Sequence, residues 1–203
     1  MSRVVRFRFE FLVLVVCVGG IACQLKRPDT PAGRMIEPQL PQLIDPQASE
    51  PATQRTDNAA ASPVRLLDTQ ARAHIGRRIL HQEPDGELTA DAVWWWSSAP
   101  DRYLDTALRL ELASSPVWRP VESAAAPVLA ATLLSWQLES AGGTRLLGAV
   151  EFRFTAADRG VHTVVVRQSE PVSGDLPGDL AAVAGRLLRR LAVEGLTRVA
   201  RER

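Results

Sequence analysis

The stretch Ala90–Leu104, ADAVWWWSSAPDRYL, places three adjacent tryptophans just before a helix start. In an extended strand, neighbouring side chains point to opposite faces, so Trp94 and Trp96 share one face and Trp95 takes the other. The face of Trp94 and Trp96 is apolar as far back as Leu88, and the opposite face is mixed. We therefore predict a strand in which Trp94 and Trp96 enter the core.

The residues that follow the tryptophans have the composition of a helix N-terminus. Ser98 is predicted to be the N-cap, Pro100 lies early in the first turn, and Asp101 stands where a capping-box acid is expected. Leu104 and Leu108 then recur at helical spacing, so we expect both to face the core.

The rest of the ordered chain alternates short strands with glycine-containing turns and ends in a second amphipathic helix, which begins at about Asp179. Two helices and one largely meandering sheet predict an α+β fold, a two-layer sandwich of a mainly antiparallel sheet with two amphipathic helices. The other predicted strands are Val64–Leu67, Arg77–Gln82, Trp118–Val121, Val128–Glu139, Arg145–Thr155 and Gly160–Gln168.

The first residues indicate export. Three arginines precede an apolar run of ~13 residues that ends at Cys23, too short to span a bilayer as a helix. The end of the run, Gly20-Ile21-Ala22-Cys23, resembles the bacterial lipobox, with Gly20 where leucine is usual. We predict a lipoprotein signal peptide over residues 1–22 and lipidation of Cys23. An uncleaved anchor and a false signal are the alternatives.

The segment after Cys23 is rich in proline and polar residues, and it lacks the apolar content that a packed core requires. We predict a flexible tether over residues 23–62 and one folded domain over residues 63–203. In polyproline-like form the tether has a reach on the order of 100 Å.

Residues suited to catalysis or metal binding are sparse. His74, His81 and His162 occur singly, and no serine lies in a nucleophile elbow. Asp175 and Asp179 match no calcium loop, and no glycine-rich loop has the pattern of a phosphate site. The net charge of +1 gives no field for nucleic acid. We predict no enzymatic activity, no cofactor and no metal site.

Taken together, the strand, turn and helix pattern resembles that of the ABC-type transport auxiliary lipoproteins, which accompany ABC transporters that carry mammalian-cell-entry-type subunits. The resemblance covers roughly residues 64–199, together with Cys23. The matching residues are Arg78-Ile79-Leu80, Asp85-Gly86, Trp96, Ala99-Pro100 and Leu104-Asp105-Thr106-Ala107-Leu108.

This resemblance implies a non-enzymatic subunit of a system that moves lipids or other hydrophobic substrates across the cell envelope. Its partners would be the permease and ATPase complex and the mammalian-cell-entry-type subunit, and self-association stays open. Gln24 after the lipidated cysteine would favour the periplasmic face of the outer membrane. The alternative is a stand-alone envelope lipoprotein that binds lipid or peptidoglycan.

Trp95 is the candidate contact residue, because strand parity turns it away from the core. An indole with an apolar body and a polar N–H suits contact with a protein partner or a lipid headgroup. Packing beneath a loop or beneath the tether is the alternative for the same residue.

Overall fold

The computed structural model describes residues 33–40, 61–140, 142–173 and 177–202. The signal peptide, Cys23, most of the predicted tether and Asp175 lie outside these residues. Over the described ranges the chain forms nine strands and two helices, and these are, in order, β1 Arg34–Ile36, β2 Ser62–Leu66, β3 Gln70–Ala71, β4 Arg78–Gln82, β5 Leu88–Trp96, α1 Pro100–Ser114, β6 Trp118–Pro120, β7 Val128–Glu139, β8 Arg145–Ala156, β9 Gly160–Pro171 and α2 Gly178–Glu202.

Strand β7 organises the sheet. One edge of β7 pairs antiparallel with β8 along nearly its whole length, and β8 pairs antiparallel with β9. The other edge is shared by β2, β3 and β4, each of which runs parallel to β7. Strand β5 pairs antiparallel with β4 and parallel with β1, and β6 pairs parallel with β2. The α+β prediction is confirmed, with a mixed sheet whose longest ladders are antiparallel.

The core combines buried side chains of both helices with buried side chains of the sheet. Trp96 and Trp136 meet there with ring centroids 5.8 Å apart, and both rings are almost fully buried. Helix α2 packs on β8 and β9 and also contacts α1. Gly195 in α2 leaves room for Phe152, because a Cβ at this glycine would lie 2.2 Å from the ring.

The N-terminal strand β1 lies within the span that composition assigns to the flexible tether, so residues 33–40 differ from that expectation. Ile36 is 2% exposed. The Gln39 N–H donates to the Ala181 carbonyl of α2 at 3.0 Å. This segment is held by backbone pairing, by buried Ile36 and Pro38 and by Leu40 against the core, none of which forms a periodic pattern in the sequence. The parallel strand β3 was not predicted either, because a strand of two residues is too short to show alternation.

The start of α1 differs from the predicted cap. Ala99 is the N-cap, with no side-chain capping hydrogen bond, and Pro100 is the first helical residue. The prediction of Ser98 as the N-cap was wrong, because the helix begins one residue later, after Ala99. The backbone N–H of Ser98 donates to the Tyr103 hydroxyl at 2.7 Å. That hydroxyl also bonds the Ser97 hydroxyl. Tyrosine therefore holds the loop between β5 and α1.

Candidate functional site

The three tryptophans differ in burial and in the residues that they contact. Trp96 is 1% exposed in the core. Trp94 is half-buried against the core, and the guanidinium carbon of Arg34 lies 5.4 Å from its ring centroid. Trp95 is also half-buried, and the guanidinium carbon of Arg78 lies 4.7 Å from its ring centroid. Both arginines are within range of a cation–π interaction.

The strand β5 is irregular just before the tryptophans. Leu80 pairs with Ala90 and Arg78 pairs with Trp95. The two paired positions are thus two residues apart in β4 but five residues apart in β5. This irregularity breaks strict alternation, which explains why Leu88, predicted to share the buried face, is 40% exposed. The face assignment from parity therefore holds for Trp96 and fails for the first half of the strand.

Asp91 fixes this irregular segment. Its Oδ1 accepts the backbone N–H groups of Val93 and Trp94, both at 2.8 Å, and its Oδ2 lies 2.9 Å from His81 Nε2. Burial acts to raise the pKa of the Asp91 carboxyl, but the two backbone hydrogen bonds and His81 outweigh it, and the net pKa is lowered. The ionised carboxylate thus positions the strand that presents Trp95.

Around Trp95, three neighbouring strands bring side chains together at the edge of the sheet. Met35 of β1 is in register with Trp95, and Arg78 of β4 is in register with it on the opposite side. Arg77 precedes Arg78, and its Nη2 lies 3.8 Å from the Met35 sulfur. We call Met35, Arg77, Arg78 and Trp95 the edge patch. Met35 is 66% exposed, the largest exposure among the described large hydrophobic residues.

Each of the two arginines of the edge patch makes a contact that holds its side chain in place. The Nε of Arg77 donates to the Trp96 carbonyl at 3.2 Å. Arg78 lies over the Trp95 ring. Across the described ranges, no carboxylate forms an ion pair with either arginine. The patch therefore presents two fixed cations beside exposed apolar surface.

Of the residues singled out from the sequence, Pro100, Leu104 and Leu108 are all buried and support the core rather than a binding surface. Cys23 lies outside the described residues. Sequence reasoning missed Met35 and Arg77 as neighbours of Trp95. The only signal for Met35 was the apolar pair Met35-Ile36 within a polar segment.

Two surface clefts lie elsewhere in the described part of the molecule. The larger, of about 420 Å³, is lined by residues that include Ser62, Pro63, Phe154, Ala156, Arg159 and Ala200. The smaller, of about 290 Å³, lies over β7 and β8 near Thr132 and Arg153. Neither includes a residue of the edge patch.

Two further observations concern the described ranges alone. They contain no group of three or more histidine, cysteine, aspartate or glutamate side chains that could hold a metal ion. None of their helices combines the length and apolar character that a bilayer-spanning segment requires.

Comparison of the sequence with known families and with curated proteins gives no match. The resemblance to ABC-type transport auxiliary lipoproteins is therefore not confirmed by sequence comparison.

Two solved structures share the α+β fold over most of the chain. One is a Xanthomonas campestris protein of the DUF330 family, 17% identical, with a TM-score of 0.60; the match covers 85% of this chain and 95% of that one. The other is an uncharacterised protein, 12% identical, with the same TM-score of 0.60, over 84% of this chain and 98% of that one. These similarities establish the fold.

Proposed function

We propose that this chain is a non-enzymatic auxiliary lipoprotein of an ABC transport system that moves lipids or other hydrophobic substrates across the cell envelope. The folded domain would be a two-layer sandwich anchored through a lipid on Cys23, on the periplasmic face of the outer membrane. Its partners would be the permease and ATPase complex and a mammalian-cell-entry-type subunit.

The observation that carries the proposal is the position of the family-like residues in the fold. Arg78-Ile79-Leu80 lies in β4, Asp85-Gly86 in the β4–β5 turn, Trp96 at the end of β5, and Pro100 at the start of α1. Gly86 has a φ of 89°, which suits glycine in this turn. The family-like residues therefore lie on the β4–β5 hairpin and on the helix that follows it.

The chain offers a matched control for the anchor. Cys17 and Cys23 are its two cysteines, and the lipobox-like pattern ends at Cys23. We expect Cys23→Ser to abolish palmitate labelling and to lower recovery from membranes, and Cys17→Ser to leave both unchanged. Retained labelling in Cys23→Ser would refute the anchor.

The transport role is tested by purifying the full chain from its native membrane under mild detergent. Co-purification of an ABC permease, its ATPase and a mammalian-cell-entry-type subunit is expected. Purification of the chain without any of these three proteins, after chemical cross-linking in intact cells, would contradict the role.

The larger cleft supports a second candidate, a stand-alone lipid- or peptidoglycan-binding lipoprotein. Its volume of about 420 Å³ falls within the range of small-molecule sites. This candidate predicts saturable binding of a lipid or a muropeptide by the purified chain alone. It also predicts that a bulky substitution in the cleft, Ala156→Trp, reduces the binding.

A further inference from the structure

The edge patch includes Met35 of β1, the first strand in the described part of the chain. Gly33, the first described residue, lies against Trp95, because a Cβ built on it would be 3.2 Å from the indole nitrogen. We propose that the edge patch binds anionic phospholipid headgroups of the membrane that carries the lipid anchor. The inference rests on the proposed anchor at Cys23 and deepens it by assigning a membrane-facing surface to the domain.

Chain length limits how far the patch can be from the anchor. Arg34, the first residue of β1, follows Cys23 by eleven residues. Eleven residues extend over about 40 Å at most. A tether that continued to residue 62 would reach much farther, but β1 pairs with β5 from Arg34 onward. Under the proposal, this chain length keeps the edge patch within about 40 Å of the anchor.

The side chains of the patch match the chemistry of a phospholipid surface. Guanidinium groups donate paired hydrogen bonds to phosphate oxygens. Indole rings favour the headgroup region, where an apolar body and a polar N–H are both accommodated. Met35 supplies the exposed apolar side chain between them.

Charge at this edge favours an anionic surface. Arg77 and Arg78 are exposed on the patch, and Arg34 is exposed over Trp94 on the neighbouring part of the same edge. Glu37, an exposed acid two residues after Met35, forms no ion pair with these arginines among the described residues. Each arginine near an anionic bilayer contributes about 1 kcal/mol, roughly a fivefold change in binding.

The experiment measures which surface of the domain contacts the membrane. If the signal peptide is removed before Cys23, the mature chain has no cysteine other than the lipidated one. Met35→Cys then gives one labelling position on the patch, and Val193→Cys, at an exposed valine of α2, gives the control. Each lipidated full-length mature protein is reconstituted with an environment-sensitive fluorophore on vesicles of phosphatidylcholine, with or without phosphatidylglycerol.

We expect the probe at the Met35→Cys position to show a membrane-interface spectrum on vesicles that contain phosphatidylglycerol. We expect the probe at Val193→Cys to report water on both vesicle types. Arg77→Gln and Arg78→Gln should each lower the equilibrium constant for binding of the patch to these vesicles by roughly fivefold, and salt should lower it further. Arg119→Gln, an exposed arginine of β6 at the other end of the sheet path, is the charge-matched control.

The proposal fails if the probe at Met35→Cys reports water on both vesicle types. It also fails if the patch substitutions leave the spectrum unchanged but abolish co-purification with a protein partner, since the patch would then bind protein. If the wild-type chain does not float with vesicles, the anchor has failed separately. Met35→Cys is then labelled in a chain that also carries Cys17→Ser and Cys23→Ser, and this unanchored chain is mixed with vesicles. A shift on anionic vesicles alone supports the patch, and no shift overturns it.

Discussion

Gly185 of α2 lies directly against the backbone of Gln39: a Cβ built on Gly185 would be 2.0 Å from the Gln39 carbonyl oxygen. The absence of a side chain at this helical position lets the segment after β1 cross the helix. The same crossing is closed by the hydrogen bond from the Gln39 N–H to the Ala181 carbonyl. The helix therefore helps to hold β1 at the sheet edge.

Gly185→Ala is expected to lower the free energy of unfolding by about 1 to 3 kcal/mol, because the backbone contact leaves little room for a methyl group. Hydrogen exchange at the Gln39 amide should become faster in the same variant. Gly178→Ala is the control, since a Cβ added at Gly178 would meet nothing within 4 Å. A Gly185→Ala variant that is more stable than wild type, as helix propensity alone predicts, would contradict the contact.

Substitution of Trp96 and of Trp95 should lower the free energy of unfolding by different amounts. Trp96→Ala is expected to cost about 3 to 5 kcal/mol, the usual range for a buried aromatic residue. Trp95→Ala should cost about 1 to 2 kcal/mol, since its ring is half-exposed and stacks with Arg78. Trp95→Phe, which keeps an aromatic face, should cost less. Equal losses for Trp95→Ala and Trp96→Ala in urea titrations would place Trp95 in the core.

Asp91→Ala should cost about 2 kcal/mol, because two backbone N–H groups lose their acceptor. The lowered pKa of Asp91 means that folding favours the ionised form. Its stabilisation is complete above the ordinary carboxyl pKa and is lost as pH falls through the lowered pKa. Urea titrations from about pH 6 to about pH 3 should therefore show a smaller loss of stability on acidification in Asp91→Ala than in wild type.

Asp85→Ala provides the comparison for this effect. Asp85 also accepts a backbone N–H, that of Glu87 at 3.0 Å, but the contact is exposed. We expect a loss of about 0.5 kcal/mol. A matching loss in both variants would show that the position of Asp91 in β5 has no special role.

Arg190 and Glu170 form the ion pair with the most deeply buried carboxylate in the described part of the chain. Their nitrogen and oxygen atoms are 2.5 Å apart, and the Glu170 side chain is 10% exposed. Arg190→Gln should cost about 1 to 3 kcal/mol, a value reduced from that of a fully buried pair because Arg190 is half-exposed. Adding Glu170→Gln should restore part of the loss.

The control for this pair is Arg198→Gln, which removes the partner of Glu194 one helical turn away. An exposed pair of this spacing contributes about 0.5 kcal/mol or less. Thermal or urea unfolding of the three variants distinguishes the cases. Equal losses for Arg190→Gln and Arg198→Gln would show that burial of Glu170 adds nothing.

The sequence predicted those parts of the fold whose contacts are local. Strand β7 was predicted with its observed bounds, and β8, β9 and α2 differ from prediction only near their ends. Alternation, hairpin loops and helical spacing all act over a few residues, so each leaves a readable pattern. The parallel pairing of β2, β3 and β4 with β7 leaves no such pattern. Each of these pairings consists of two residue pairs whose members are far apart in the chain.

The candidate site was predictable to the same extent. Parity turned Trp95 away from the core side, and the structure places it in register with Met35 and Arg78. Those two neighbours come from other strands, so no periodicity in β5 could indicate them. The irregularity at Asp91 was hidden as well, since it depends on a side chain that binds its own backbone.

The arrangement around β7 also constrains the order in which the molecule can fold. Strands β7, β8 and β9 and helix α2 follow one another with short connections, so their contacts close small loops. Strands β2, β3 and β4 all precede the strand that completes their pairing. When the chain emerges N-terminus first, the edges of these strands that pair with β7 therefore stay unpaired until residues 128–139 follow, so the central part of the sheet closes late.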